Sequence, residues 1–487
     1  MKLPFSIKNY GHLVLLMVIL SAAVGVYGYV SLTNHYLFRT YALDLGMFNH
    51  TLFQISQLQI PQFTLGIDGL VVPYLADHFS PIVFLLTPFY VVLGDSALLW
   101  IQVSSIALFT VYLYKTARHF GINGYISTLL TLLPLVCWAL LASLSFDFHT
   151  NVLAAMMVLP MIYSILRQNI LGFLLWFTLI LLCKENMSLW LVFLLTGMCF
   201  AFKSDLNKRF VRLLLWLSLF SLIYFITVTT WIMPSLHPSG TNIQLNKYVG
   251  ADGGLSGVII HCLSDPLAAL QLVYRSPDGE LSADKINFLI LLLGSGGLLW
   301  FSHSVLLWMM IPILAQKFLS LNGGFWGIEA QYSIEIVPII GFGLILFIRH
   351  FHWKLALVFI LLSSTLSAIL SENVYIRKHP NAAFYMPRFA RSPYKINDLN
   401  AMLEKIPEGE TVSTVSIFAP KLEKRMTLYH YPIVEDANYI ALLKGNGSTY
   451  PMKTAKYEQA LQNLHSDSTW LVWQNCEEAL IFKRQQP

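Results

Sequence analysis

The stretch FSPIVFLLTPFYVVL, residues 79–93, decides the topology of this chain. It is apolar, carries Pro81 and Pro88, and stops at Gly94-Asp95. A bilayer-crossing helix needs about 20 apolar residues, with roughly 17 still acceptable. At 15 residues the stretch either crosses or lies along the membrane surface between two crossings. Every later segment changes sides with that choice.

The bilayer enters from composition. The 487 residues are 56% hydrophobic and 12% charged, with mean hydropathy +0.61, whereas soluble domains carry roughly 25% charged residues. So little polar surface cannot keep a long chain in water. A net charge of +5 gives no case for nucleic acid. Cys137, Cys183 and Cys199 lie in apolar runs, and the five cysteines show neither metal-ligand spacing nor a disulfide framework. The first apolar segment, 13–30, exceeds the roughly 7–15 residues of a signal h-region and reads as a retained anchor.

Candidate spans are 12–32, 97–115, 124–143, 151–166, 170–183, 187–202, 212–233, 286–301, 304–320, 332–349 and 355–371, about eleven in all. Basic residues then choose for 79–93. With that stretch in the interface, Lys2, Lys8, Lys115, Arg118, Arg167, Lys203, Lys208, Arg209, Arg212, Arg349 and Lys354 share one side, as the positive-inside rule requires of the cytoplasm. With it spanning, the separation breaks down. Three regions therefore face outward: 33–96, a Gly-, Ser- and Pro-punctuated loop 234–285, and the tail from 372. The expected division is a transmembrane domain, 1–371, and a small extracytoplasmic α/β domain, 372–487. In the latter, INDLNAMLEKI and MKTAKYEQALQNL read as helices, and TVSTVSI, NYIALLK, TWLVWQ and EALIFK as strands.

On this topology the notable ionisable groups collect at the outer boundary: Asp44 and His50, Asp77-His78, Asp147 and His149, and Lys184-Glu185. Ionisable groups at membrane depth are expensive and are functional candidates by default. Each has a bland alternative. Asp44 suits the N-cap of a helix starting at Leu45, and Asp77 that of a helix starting near Ser80. Asp147 and His149 occupy a tight polar turn, and Lys184-Glu185 form a self-neutralising pair. His and carboxylate also suit a divalent metal; no ligand spacing marks one, so a divalent-metal site would have to be assembled by folding, and no other cofactor is expected. Tyr332 reads as an interfacial anchor. GADGG at 250–254 is a flexible loop, and no phosphate-cradling glycine loop occurs. The basic, aromatic segment 376–395 is either a solvated linker or a contact for anionic headgroups or a lipid phosphate.

YALDLGMFNHTLFQ, LADHFSPIVFLLTPFY, SFDFHTN, CKENMSL and FAPKLEKRMTLYHYP resemble, in order along nearly the whole chain, the bacterial predicted membrane proteins known as domain of unknown function 2079. Thr150-Asn151 stand where that family often has Pro-Glu, which removes a carboxylate and weakens a metal site. The family is in turn similar to the GT-C class of multi-pass glycosyltransferases, whose first outer loop carries a catalytic Asp and two membrane-lying helices. The resemblance implies a bacterial inner-membrane protein with a cytoplasmic N-terminus and a periplasmic or extracellular C-terminal domain. The expected activity is transfer of a sugar from a polyprenyl-phosphate donor to a glycan, lipid or protein acceptor. Catalytic expectations fall on Asp44, Asp77, His78, Lys184 and Glu185, and substrate-binding ones on Asp147, His149, Arg388 and Arg391. The competing readings are a transporter or lipid flippase, which wants charges near the midplane, and a non-catalytic envelope assembly factor.

Overall fold

Polar residues between the apolar runs set where several helices begin. The side chains of Asn123, Asn169 and Asn207 accept hydrogen bonds from the backbone N–H groups of Tyr125, Gly172 and Phe210, capping helices at donors that have no partner within the helix. The computed structural model describes residues 10–425, 427–445 and 448–485. Lys2 and Lys8 lie outside them.

Five helices are long and apolar enough to cross a membrane: Gly11–Tyr36, Ile82–His119, Glu185–Phe202, Lys208–Leu236 and Trp353–Lys378. A sixth candidate, Gly124–Leu135 with Trp138–Ser145, is bent by 57°. The bend follows Pro134, which has no N–H for the helical ladder. Thr150–Leu166, Ile170–Cys183, Gly254–Ser264, Ser304–Phe318 and Ile336–Ile348 are shorter apolar helices. The topology-deciding stretch forms the helix Ile82–Leu93. It runs through a 3-10 turn, Gly94–Ser96, into Ala97–His119, and Gly94 at φ 68° breaks the helical path.

Loop 234–285 is more ordered than its punctuation suggests. Gly250 (φ 71°) and Gly254 (φ 66°) supply turns that L side chains resist, and the apolar residues beyond form Gly254–Ser264 and then Pro266–Gln271. Two buried lysines secure this side of the molecule. The Lys285 ammonium donates to the carbonyls of Leu272, Arg275 and Phe318. That of Lys317 donates to the carbonyls of Phe325 and Gly327 and to Ser333 Oγ.

The four stretches read as strands in the tail all form strands, and a fifth joins them. After a two-residue antiparallel pair in the first loop, β1 (Gln62–Phe63) and β2 (Val72–Pro73), the tail holds β3 (Val412–Thr414), β4 (Leu428–His430), β5 (Tyr439–Leu443), β6 (Trp470–Asn475) and β7 (Ala479–Arg484). The sheet order is β4-β3-β5-β7-β6, with β3 parallel to β4 and β5, and β7 antiparallel to β5 and β6.

This sheet unit rests on the first loop. Lys421 Nζ lies 2.7 Å from Asp95 Oδ2, which His35 Nε2 also meets at 3.0 Å. Tyr90 donates to Glu423 Oε1 at 3.2 Å, Thr64 Oγ1 to the Leu428 carbonyl, and the Ala42 N–H to Ser416 Oγ. A Cβ on Gly46 would stand 3.2 Å from the Ala419 Cβ, so glycine permits this close approach. Burial first, and the Asp95 charge second, push the Glu423 carboxyl from the ordinary 4.5 up to about 7.

Two predictions follow from this contact. Lys421→Met removes charge-assisted hydrogen bonds and should cost about 1–3 kcal/mol of docking stability, read as faster limited proteolysis of the sheet unit. Because the docked Glu423 holds its proton more tightly than the undocked one, its contribution is fully present below pH 4.5 and lost as pH rises to about 7. Protease resistance should therefore fall over that window, and Glu423→Gln should flatten the profile.

Candidate functional site

The residues from Tyr41 to His50 approach the cluster through a π-helical turn, Ala42–Gly46, which leads into the helix Met47–Ser56. Asp44 sits inside that turn and caps nothing. Its Oδ1 accepts a hydrogen bond from His149 Nε2 at 2.9 Å. Such local widening of a helix is common at functional sites. Asp44 Oδ2 has no partner among the described residues, and the side chain is 22% exposed. One oxygen is thus anchored and the other is open.

The turn that presents His149 is held from three directions. Gln102 accepts from the His149 N–H at 3.0 Å and donates to the Asp147 carbonyl at 3.2 Å. Asp147 Oδ2 accepts from the Tyr41 N–H at 2.8 Å, and the Leu45 N–H also contributes. The Asp147 side chain is fully buried. Burial, then the neighbouring Asp44 charge, push its carboxyl well above the usual carboxylate range. It braces the first loop and presents no open face to a ligand. Burial also pulls the His149 imidazole below its ordinary value, against the opposing hydrogen bond and charge of Asp44.

The second half of the cluster comes from two chain breaks. Lys184 is extended (φ −164°, ψ 151°) between Ile170–Cys183 and Glu185–Phe202, so Glu185 opens a helix, where the dipole favours a carboxylate. Glu185 Oε2 accepts from the Phe79 N–H at 3.1 Å. His78 lies between two acids, with Nδ1 3.5 Å from Glu185 Oε1 and Nε2 3.7 Å from Asp77 Oδ2. These are ion-pair separations, too long for good hydrogen bonds. Asp77 ends the short helix Tyr74–Asp77 and does not cap Ile82–Leu93; its Oδ1 instead accepts from Gln244 Nε2 at 3.0 Å.

The two halves meet at Lys184. Its ammonium lies within electrostatic reach of His149, Glu185, Lys247 and Glu335. Asp44, Asp77, His78, His149, Lys184 and Glu185 therefore gather into one neighbourhood, with Asp147 behind it. His50 turns away, its Nε2 lying near the Arg425 carbonyl and Gln54. Arg388 and Arg391 stay exposed. Among the described residues no hydrogen bond or ion pair ties them to the cluster; the segment is held by Arg39, which donates to the carbonyls of Phe389 and Arg391. Among the described residues no group of three or more His, Cys, Asp or Glu is arranged to hold a metal ion.

Several participants escaped the sequence reading. Gln102 is a lone amide inside an apolar helix, a signal that was available. Lys247 reaches the site from loop 234–285, donating to Gln244 Oε1 at 2.6 Å, and nothing local marks it. Tyr332, read from the sequence as an interfacial anchor, lies close enough to feel the Asp44 charge and so belongs to the site. Beside Lys184 and Glu185 opens a cavity of about 210 Å³, whose wall includes Asn151, Gln331, Tyr332 and Glu335. Asn151 donates to Glu335 Oε1 at 2.9 Å.

No curated protein matches the chain. Among solved structures, an oligosaccharyltransferase of Archaeoglobus fulgidus, tethered with an acceptor peptide containing the NVT sequon, is similar at a TM-score of 0.44 and 11% identity. The similarity covers 89% of this chain and 69% of that one. Residues 34–474, which run from the end of the first helix into β6 and include every member of the cluster, match the family described as predicted membrane protein (DUF2079), and the chain belongs to that family.

Proposed function

We propose that this protein is a membrane glycosyltransferase that moves a sugar from a polyprenyl-phosphate carrier to a hydroxyl-bearing envelope acceptor. The observation that carries the reading is Asp44: one carboxylate oxygen is fixed by His149 and the other is open, in a cluster whose Lys184 and Glu185 line a largely apolar cavity. In the proposed step the acceptor oxygen attacks the anomeric carbon while Asp44 takes its proton as general base. The bond from that carbon to the phosphate oxygen breaks, and the phosphate departs with the electron pair. Lys184 and His78 stabilise the negative charge building on it. Asp77 and Glu185 flank His78 and fix its position. Asp147 is assigned a positioning role.

The same reading takes the short apolar helices and the bent pair as completing about eleven crossings. It lays Ile82–Leu93 in the interface, because 12 residues rise only about 18 Å. It places the N-terminus in the cytoplasm and the sheet unit of 372–487 on the periplasmic or extracellular side of the inner membrane. Arg388 and Arg391 are then headgroup-zone cations outside the reacting cluster.

Membranes carrying Asp44→Asn should lose transfer by about 10²–10⁴-fold, the usual contribution of a general base, while insertion and thermal stability persist. Transfer of a radiolabelled sugar from prenyl phosphate reads this, and unchanged transfer would remove Asp44 as the base. Asp147→Asn keeps an acceptor for the Tyr41 N–H and mimics a protonated acid, so it should retain most activity. Asp147→Ala leaves that amide unpaired and should lose activity together with stability.

A further inference from the structure

A second, larger cavity lies at the opposite end of Glu185–Phe202 from the Asp44 cluster. That helix has 18 residues, so at the usual helical rise its ends stand about 27 Å apart. The cavity encloses about 680 Å³, and its wall includes Phe200, Asp205, His303, Trp308, Leu346 and Arg349. On the topology proposed above, this end faces the cytoplasm. Phe200 and Trp308 meet edge to face at 6.0 Å between ring centroids and stay 71% and 38% exposed. The cavity therefore has an apolar, open side between two membrane helices. Two opposite charges line it without meeting. Arg349 is half-buried; its Nε donates to His350 Nε2 at 3.0 Å, and its guanidinium carbon lies 5.5 Å from the centre of the Phe120 ring. Its two terminal nitrogens have no hydrogen-bond or ion-pair partner among the described residues. Asp205 is exposed at the rim, where its carbonyl accepts from Gln168 Nε2 at 3.2 Å. Its carboxylate has no partner among the described residues and does not come within ion-pair distance of Arg349. His303 adds no third charge near neutral pH, because burial first, then Arg349 and His350, pull its imidazole below the ordinary 6.5. Orientation by positive charge explains Lys203, Lys208, Arg209 and Lys354, all exposed. It does not explain a half-buried guanidinium with open donors beside an apolar wall, which is costly until a partner arrives.

We propose that this cavity is a headgroup site for a zwitterionic phospholipid of the phosphatidylethanolamine class, with its phosphodiester on Arg349, its primary ammonium at Asp205 and the start of its acyl chains against Phe200 and Trp308. A guanidinium presents paired N–H donors that match phosphate oxygens, and basic pockets between spans take lipid headgroups. The charge count selects among headgroups. One guanidinium set against one carboxylate complements a zwitterion, whereas a net anionic headgroup would meet Asp205 as a like charge. A trimethylammonium headgroup offers the carboxylate no N–H donor. The volume is suitable, since pockets for molecules of this size span roughly 300–1,000 Å³ and this one holds about 680 Å³. The inference goes beyond the glycosyltransferase reading and does not rest on it, because no residue of the proposed reaction lines this cavity.

The test uses the full-length protein in detergent micelles, titrated by native mass spectrometry with phosphatidylethanolamine, phosphatidylcholine and phosphatidylglycerol of identical acyl chains. Phosphatidylethanolamine should bind about tenfold more tightly than either of the others, the usual worth of one charge-assisted hydrogen bond. Asp205→Ala should bring it level with phosphatidylcholine and leave phosphatidylcholine binding as it was. Arg349→Gln should weaken all three by about tenfold, because all three share the phosphodiester. Lys354→Met removes an exposed cation at the same end of the molecule, off the cavity wall, and should bind as wild type. Soluble glycerophosphoethanolamine carries both charges without the chains and should compete poorly. Equal binding of the three lipids, a preference for phosphatidylglycerol, unchanged selectivity in Asp205→Ala, or effective competition by the soluble headgroup would overturn the assignment. Asp205 is exposed, so its alanine variant keeps the fold and decides the question even where Arg349→Gln does not fold. Asp44→Asn should leave this binding unchanged, so the lipid result and the transfer result fail separately.

Discussion

A charged or strongly polar group near hydrocarbon must find its partners inside the protein, because lipid offers none. In this chain the constraint is met by one knot: Asp147 Oδ2 accepting the backbone N–H of Tyr41 while Gln102 holds the 147–149 turn from the other side. The knot joins the first loop to the helices Ala97–His119 and Thr150–Leu166. It is also what delivers Asp44 to His149. The arrangement separates two neighbouring carboxylates by environment alone, one buried and used up in bracing, the other half-anchored and open. Such a division is how a single polar cluster can contain both scaffold and chemistry.

The sheet unit is part of the same construction. Lys421, Glu423 and Arg425 sit in one short segment, and each meets an element of the first loop or its flanks. The first loop is thereby covered by the sheet unit while its π-helical turn reaches the 147–149 turn. The open oxygen of Asp44 thus belongs to the covered first loop, whereas the cavity is lined by Lys184 and Glu185 of the second half of the cluster.

Much of this was legible in the sequence because the bilayer makes polar residues conspicuous. Asp77-His78 and Lys184-Glu185 stand out between apolar runs, and grouping them by membrane side was enough to bring them together with Asp44 and His149. What the sequence did not reveal was the job of each acid. Asp44 reads as an N-cap because Asp before an apolar run usually is one; in the fold it sits inside a π-helical turn and pairs with His149, 105 residues away. Asp147 reads as a ligand-facing turn residue, and only the fold reveals that it is fully buried with its Oδ2 accepting the Tyr41 N–H. Lys247 and Gln244 lie in a polar loop where such residues are common, so no local pattern distinguishes them from solvent-facing ones. Arg388 and Arg391 mislead for the opposite reason: cations beside a span end suggest phosphate, but Arg39 holds their segment at the surface.

Lys184 explains why the cluster needs a broken helix pair. An uninterrupted helix would carry its ammonium on a helical face, committed to one neighbour a turn away. A single extended residue between two helices frees the side chain from both, and it places Glu185 at a helix N-terminus, where the dipole helps hold a carboxylate that also accepts the Phe79 N–H. The lysine is then the one cation common to both halves, within reach of His149 on one side and Glu185 on the other. A flexible ammonium with three donors adapts to more than one partner more readily than a guanidinium fork fixed in one plane. The residue least constrained by secondary structure is thus the one that bridges the two halves of the cluster.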